Sequence, residues 1–456
     1  MSRMRSVRRG DAALLAIVAV LGGSVAAAQT TPGQTSAREI EFANDKVSML
    51  NLSLGLGAIQ SDNVSRVSTD EESGSVTITS LNLKYRENTR RLLADVDADI
   101  GYEHFLDGEF EDGVIGRADG VVTVGLLPEI FEWSVEEQFT QARVDPFGAD
   151  TPENRQNVNR FSTGPDVRLS LSDATALRFS SRYALVDYEE ATADGDRLSG
   201  SMAVVRQLGA ARAVSFNVSR EAIDFDDASA NVGYDRDSAF VRYEAESSRT
   251  ELTADLGYMR IEDELGETAN GALLDVLLLR RVSPDSRLAL NFGTRFSDSG
   301  DIARLTPGSD RGSLDPVVVF TNALPFEGRF VNLGWEFNRN RTGLGTFIQF
   351  RQQRYSDSPE FDRDMQIIGA HVHRRLSSRI EVYARVHSSR EDFDNSASFI
   401  REQQGNLGLI MRLGNSGRIA LDGMHRDRES TNSVTEFTEN RLSLFIIWTP
   451  ISRNRQ

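Results

Sequence analysis

Leu50, Leu52, Leu54 and Leu56 alternate with Asn51, Ser53, Gly55 and Gly57, and this period of two returns in short segments almost to Gln456. A backbone that sends every second side chain to the same face is a β-strand. A strand with one apolar face and one small or polar face lies between two environments. Sustained along a whole chain, the pattern describes an all-β fold: a single transmembrane antiparallel β-barrel with lipid outside and a watery lumen inside. The mean hydropathy of −0.36 agrees, because half of every segment is polar. About 20 segments, spaced about 21 residues apart, fall in the even-numbered range of bacterial barrels, with 18 as the alternative count.

Arg3, Arg5, Arg8 and Arg9 precede an apolar run from Ala12 to Leu21, then Gly22, Gly23, Ser24 and Ala26 to Ala28. This is the layout of a secretory signal peptide, expected over 1–28 and cut after Ala28. The apolar run is shorter than the roughly 18 residues a membrane helix needs, and no later stretch reaches that length. Residues 29–45 are polar and patternless, as a periplasmic leader would be, and are followed by a barrel over 46–450 and a short tail, 451–456. The chain has no cysteine and a net charge of −17. The first excludes a disulfide framework and a lipidated anchor, and the second disfavours nucleic acid as a partner.

Alternation also sorts the charges. Leu92, Ala94, Val96, Ala98, Ile100 and Tyr102 share one face of a strand, with Asp95, Asp97 and Asp99 on the other. Three carboxylates do not face hydrocarbon, so they face the lumen. Pairing through a short turn puts Lys84 and Arg86 beside them. By the same rule Glu132 and Glu136 point inward beneath Trp133 and Val135, and Arg178 and Arg182 beneath Phe179 and Tyr183. Arg287, Arg295, Arg351, Arg379, Arg385 and Arg412 follow later in the chain. Acids early and arginines late give the expectation of an acidic wall facing a basic one. The bland alternative is mutual neutralisation in a packed barrel.

Short connections rich in Arg and Ser, such as Arg374 to Arg379, alternate with longer acidic ones, such as Asp187 to Asp196 and Asp224 to Asp237. Short turns belong in the periplasm and long loops outside, which gives an acidic outer surface near lipopolysaccharide. The connection from Phe296 to Phe330 breaks the rhythm. Its length suits a loop that folds inward and constricts a pore, or else an extra extended segment above the membrane.

Motifs for catalysis are absent: there is no His-Glu zinc pair, no Gly-x-Ser-x-Gly elbow and no phosphate-binding loop, so an enzyme is not expected. The Asp95, Asp97, Asp99 spacing resembles the start of a calcium loop, but Ile100 stands where the turn glycine is needed. His371 and His373 share a face. His387, on the next strand, is expected opposite position 367, too far to complete a metal site. No metal and no cofactor is expected.

The run Asn157 to Asp166, which reads Asn-Val-Asn-Arg-Phe-Ser-Thr-Gly-Pro-Asp, leads into Leu169, Thr175 to Phe179 and Tyr183. With Ala323 to Arg329 before Gly334-Trp335, and the ending Asn440 to Pro450, it resembles an outer-membrane β-barrel family associated with exopolysaccharide and PEP-CTERM (exosortase) gene clusters. The resemblance implies an outer-membrane barrel that exports or assembles exopolysaccharide with periplasmic export components as partners, and it defines no catalytic residues. A general diffusion porin for small polar solutes and a non-conducting anchoring barrel are the other readings of the same pattern.

Overall fold

The structure, a computed structural model, describes residues 47–229, 231–298, 300, 324–356, 358–394 and 398–455. The expected signal peptide, the leader and most of the 296–330 connection lie outside these residues. The described residues form twenty strands: β1 (Val47–Ser61), β2 (Gly74–Thr89), β3 (Leu92–Phe105), β4 (Gly113–Leu127), β5 (Phe131–Arg143), β6 (Arg155–Ser172), β7 (Thr175–Tyr188), β8 (Gly195–Gly209), β9 (Arg212–Phe225), β10 (Tyr234–Glu246), β11 (Thr250–Asp263), β12 (Thr268–Ser283), β13 (Ser286–Ser297), β14 (Phe326–Arg339), β15 (Thr342–Tyr355), β16 (Arg363–Arg375), β17 (Ile380–Phe393), β18 (Ser398–Leu413), β19 (Gly417–Ser430) and β20 (Phe437–Arg455). Each pairs antiparallel with its chain neighbours, and β1 pairs with β20. The sheet therefore closes on itself and has no free edge, as backbone immersed in lipid requires.

Outward positions carry the apolar half of the alternation. Leu56, Leu198, Phe216, Leu256, Leu407 and Leu442 are more than half exposed. In water a continuous belt of this kind would aggregate; against lipid it anchors the barrel. All three tryptophans face outward near the short-turn end, where Trp133 Nε1 donates to Thr163 (2.8 Å) and Trp335 Nε1 to Ser286 (2.9 Å). Tyr102, Tyr183 and Tyr258 hold the equivalent outward level toward the long-loop end. Two aromatic girdles thus bound the belt. Beyond the tyrosines the outer face becomes charged, with Arg390 beside Asp392 (2.7 Å) and Arg401 beside Glu429 (3.4 Å). Strands of 12 to 19 residues exceed the roughly 9–11 that cross a bilayer, and the excess projects at this end.

The structure corrects one boundary. Residues 451–455 are not a tail: β20 continues through them, pairing Ile451 with Leu52 and Arg455 with Ser48. Pro450, which has no N–H to give the ladder, is absorbed because the register shifts between Leu52 and Leu54, so that Thr449 and Pro450 together oppose Ser53. The hydroxyls of Ser53 and Thr449 meet at 2.9 Å inside this bulge.

A second interruption lies in β6. The ladder to β7 pairs Thr163 with Tyr183 and Asp166 with Ser180 but skips Gly164 and Pro165. A Cβ on Gly164 would overlap the Ser181 carbonyl. Gly164→Val is expected to cost about 1–3 kcal/mol, read as a lower urea midpoint of the refolded barrel, whereas Gly200→Val, where a Cβ meets nothing within 4 Å, is expected to leave the midpoint in place.

Candidate functional site

The lumen differs between its two ends. Toward the turn end the inner wall is polar and solvated. Lys84 meets Asp97 at 3.4 Å, Arg86 meets Asp95 at 3.0 Å and Asn82 bonds Asp99. These contacts follow from the register, which sets each residue of β2 directly opposite its partner on β3. Past the β1/β20 seam, Tyr383 Oη donates to Asp422 (2.8 Å) from two strands away, lying over Gly408, where a side chain would collide with the ring. Arg385 stacks on the Tyr383 ring at 4.9 Å, and Glu381 lies 3.6 Å from Arg412.

Toward the loop end the lumen is crossed. Ala142, Val158, Val186 and Tyr188, from β5, β6 and β7, pack with Phe326 and Tyr355, from β14 and β15. In a ring of twenty strands β6 and β15 stand almost diametrically opposed, so this apolar cluster is a bar across the barrel. The rings of Phe326 and Tyr355 lie 5.2 Å apart.

On one side of the bar, loop 144–154 folds inward and carries Asp150 into a hub of buried charge. Asp150 lies 3.3 Å from Arg155, 3.5 Å from Arg66 and 3.8 Å from Arg426, and Arg66 also donates to its backbone carbonyl. Arg66 Nε donates to Glu439 (3.0 Å), and Glu402 receives both Arg426 (2.8 Å) and Arg428 (3.1 Å). Arg428 returns to the loop, donating to the Phe147 carbonyl (2.7 Å), while the Phe147 ring rests 4.6 Å from that of Phe393. Arg428 and Glu439 are each only 2 % exposed. Arg66 adopts a left-handed backbone (φ 53°), a conformation that costs a non-glycine residue about 1–3 kcal/mol and that the ion pairs hold in place. Burial raises the pKa of Asp150, but Arg155, Arg66 and Arg426 outweigh it and hold the carboxyl below its ordinary value.

On the other side of the bar, Asp298, just past the end of β13, forms a two-pronged pair with Arg197 of β8 (2.8 and 3.0 Å) and accepts from Tyr234 of β10. Arg236 pairs with Glu221 beside it. Burial raises the Asp298 pKa, and the Arg197 and Arg236 charges overturn that and carry it far below the carboxylate range. Between this level and the turn end, the inner wall of β7 to β9 narrows its side chains to Ser180, Ser201, Ser215, Asn217 and Ser219, around a cleft edged by Arg178.

Three expectations are corrected here. The acids and arginines do not form opposed walls, because most buried charges are neutralised locally: Arg182 holds Asp166 (2.6 Å) and Glu136 (3.5 Å), Arg242 holds Asp255 (2.6 Å), and Arg295 holds Asp275 (3.1 Å). Chain order separates these residues, but the register brings each next to its opposite. Glu132 likewise sits among Asp166, Arg168 and Arg178. Arg379 lies in the turn before β17 and Arg287 at the second position of β13, so both are at the rim rather than along the wall. His387 pairs with Gly369, not with position 367, because the β16–β17 connection takes residues 376–379. Among the described residues, no group of three His, Cys, Asp or Glu is placed to hold a metal ion.

Alternation alone gives the inward direction of Glu402, Arg426, Arg428 and Glu439, yet it singles out none of them, and nothing in it says which loop turns inward. The Asp145-Pro146 and Thr151-Pro152 pairs that flank loop 144–154 were the available signal.

No family model and no curated protein matches the chain. Among solved structures, it is similar to OprD of Pseudomonas aeruginosa at 11 % identity, covering 89 % of this chain and 95 % of that one with a TM-score of 0.34. It is also similar to the FrpB iron transporter of Neisseria meningitidis at 8 % identity, 91 % and 82 % coverage and a TM-score of 0.44. A third similar structure is OccAB4 of Acinetobacter baumannii, at 10 % identity, 90 % and 98 % coverage and a TM-score of 0.37. Likeness at this level says nothing about what this chain passes or binds.

The Asp150 hub yields a pH prediction. A carboxylate whose folded pKa lies below its unfolded value near 3.8 contributes stability above that value and loses it as the pH falls through the lower one. Because the chain has no cysteine, a nitroxide at Ala149→Cys reports this loop alone. An immobilised spectrum is expected from neutral pH down to about pH 4, with mobility growing as the pH falls further, through the lowered carboxyl value. Removing one partner of a buried ion pair costs about 3 kcal/mol or more, so adding Asp150→Asn should mobilise the label at neutral pH. A spectrum unchanged by Asp150→Asn would show that the hub does not hold the loop.

Proposed function

We propose that this chain is an outer-membrane channel of the porin kind that passes small polar solutes, with loop 144–154 setting its narrowest point. The observation that carries the reading is the gradation of the lumen: a solvated, charge-paired inner wall at the turn end rises to a bar and two ionic hubs at the loop end. A barrel built only to anchor would need no polar lumen wall open at one mouth. In this reading the turn end faces the periplasm and the loop end faces outward. The apolar belt contacts membrane lipid, and the charged rim above the tyrosine girdle meets the head groups of lipopolysaccharide. The chemistry offered is recognition and passage: arginine–carboxylate pairs exchange hydrogen bonds with a polar solute one at a time, which lowers the barrier to movement without a deep binding well.

Export of exopolysaccharide, the role implied by the family resemblance, asks more of the same barrel. A polymer occupies the whole lumen, so loop 144–154 and the Phe326–Tyr355 bar would have to leave it.

The test is conductance of the refolded protein (Gln29 to Gln456) in a planar bilayer. Small steady channels are expected from the native chain, and a several-fold larger conductance when 145–153 is replaced by a short Gly-Ser turn. Bilayers that stay silent with the loop removed would overturn the channel reading in favour of a closed anchoring barrel. Reversible block of the enlarged channel by the host's own exopolysaccharide, but not by short sugars, would favour the polymer route.

A further inference from the structure

We infer that Arg351 is the centre of an oxyanion-binding site on the inner wall, on the turn-end side of the Phe326–Tyr355 pair, taking a small carboxylate or phosphate. Arg351 stands on β15 directly opposite Phe330 of β14 and Met365 of β16. It faces the lumen because Phe350 beside it is outward and 48 % exposed. One step nearer the loop end on the same inner face lie Arg295, Gly328, Gln353 and Arg363, paired in a row.

Its neighbours are all accounted for. Arg295 has Asp275 at 3.1 Å and stacks on the Phe330 ring at 5.2 Å. Arg363 has Glu391 at 3.3 Å and donates to Gln353 at 2.5 Å. Arg351 has neither: among the described residues no carboxylate and no hydrogen-bond acceptor meets its guanidinium, and the charges that act on it are those of Arg295 and Arg363, both of its own sign. Elsewhere in this wall Arg182, Arg242 and Arg426 are each matched to an acid. A half-buried guanidinium set beside two others is unfavourable unless an anion completes it.

The class of ligand follows from the donor. A guanidinium presents a planar fork that fits the two oxygens of a carboxylate or phosphate, and it binds neutral hydroxyls far less well. The amide of Gln349, opposite Asn332 and one step toward the turn end, offers a neutral donor to the far side of such a group; the Asn332 amide is already engaged with Asn291 (3.2 Å). Phe326 and Tyr355, paired with each other two steps toward the loop end, lie on the same inner face. The site deepens the channel reading, and rests on it only for the route by which a solute arrives.

The experiment is calorimetric titration of the refolded barrel in detergent with succinate and, separately, with inorganic phosphate. Saturable binding of at least one is expected. Arg351→Gln should weaken it about tenfold or more, the loss of a charge-assisted hydrogen bond, and Arg351→Lys, which keeps the charge but not the fork, should fall between. Arg220→Gln, on the outer face, should bind as the native protein does. Folding of each variant is checked by its heat-dependent gel mobility, and if the Gln variant does not fold, the Lys variant carries the test. Succinate binding alone would make the ligand a carboxylate and phosphate binding alone a phosphate. No saturable binding, or equal binding by native and Arg351 variants, would overturn the site even if bilayers show open channels. Binding lost on mutation with silent bilayers would leave the site standing and remove the channel reading.

Discussion

Every backbone N–H and C=O that enters hydrocarbon must find a partner within the protein, since an unpaired group costs several kcal/mol there. For a chain of strands the solution is closure, and β1 meeting β20 supplies it. Once the ring is closed, each strand has two faces and no choice about them: one residue is given to lipid and the next to the lumen. The leucines of β1 and the serines and glycines between them are the direct expression of that rule.

Closure also decides where charge goes. The inner face of a twenty-stranded ring receives every acid and every arginine that the alternation turns inward, and at the loop end many of them are nearly removed from water. Buried pairs of this kind add little net stability compared with apolar packing, but breaking one is costly. They are therefore better suited to fixing geometry than to strengthening the fold. Arg182 illustrates this: besides its two carboxylates it donates to the carbonyls of Pro165 and Ser181, the backbone groups left over where β6 and β7 part at Gly164. One side chain repairs a gap in the ladder and fixes two acids at the same time.

The architecture was legible in the residues because period two is local and survives any tertiary context. Lys84 and Arg86 came beside Asp95, Asp97 and Asp99 as soon as a short turn was placed between β2 and β3. Interactions that join distant strands were not legible. Asp150 reaching Arg426, or Asp298 reaching Arg197, depends on the path of a loop through space, and no pattern along the chain encodes it. The inference of two opposed charged walls failed for the same reason: position along the chain is not position around a ring when each strand's neighbours bring their own charges. Arg351 was visible as one inward arginine among several, and only the full set of pairings showed that it alone among its near neighbours lacked an acid.

The loop-end contacts at the β1/β20 seam have a consequence for assembly. Ser61 donates to Glu439 (2.9 Å), Asn63 to the Thr438 carbonyl (3.0 Å) and Asn440 to Asp62 (2.8 Å), and Arg66 joins the same Glu439. Each of these contacts joins the first strand or its following loop to the last strand. The Asp150 hub draws on both, so it cannot be complete while the sheet is still an open curl. The seating of loop 144–154 on its ionic hub therefore waits on closure of the ring, whereas the apolar bar between β5–β7 and β14–β15 does not.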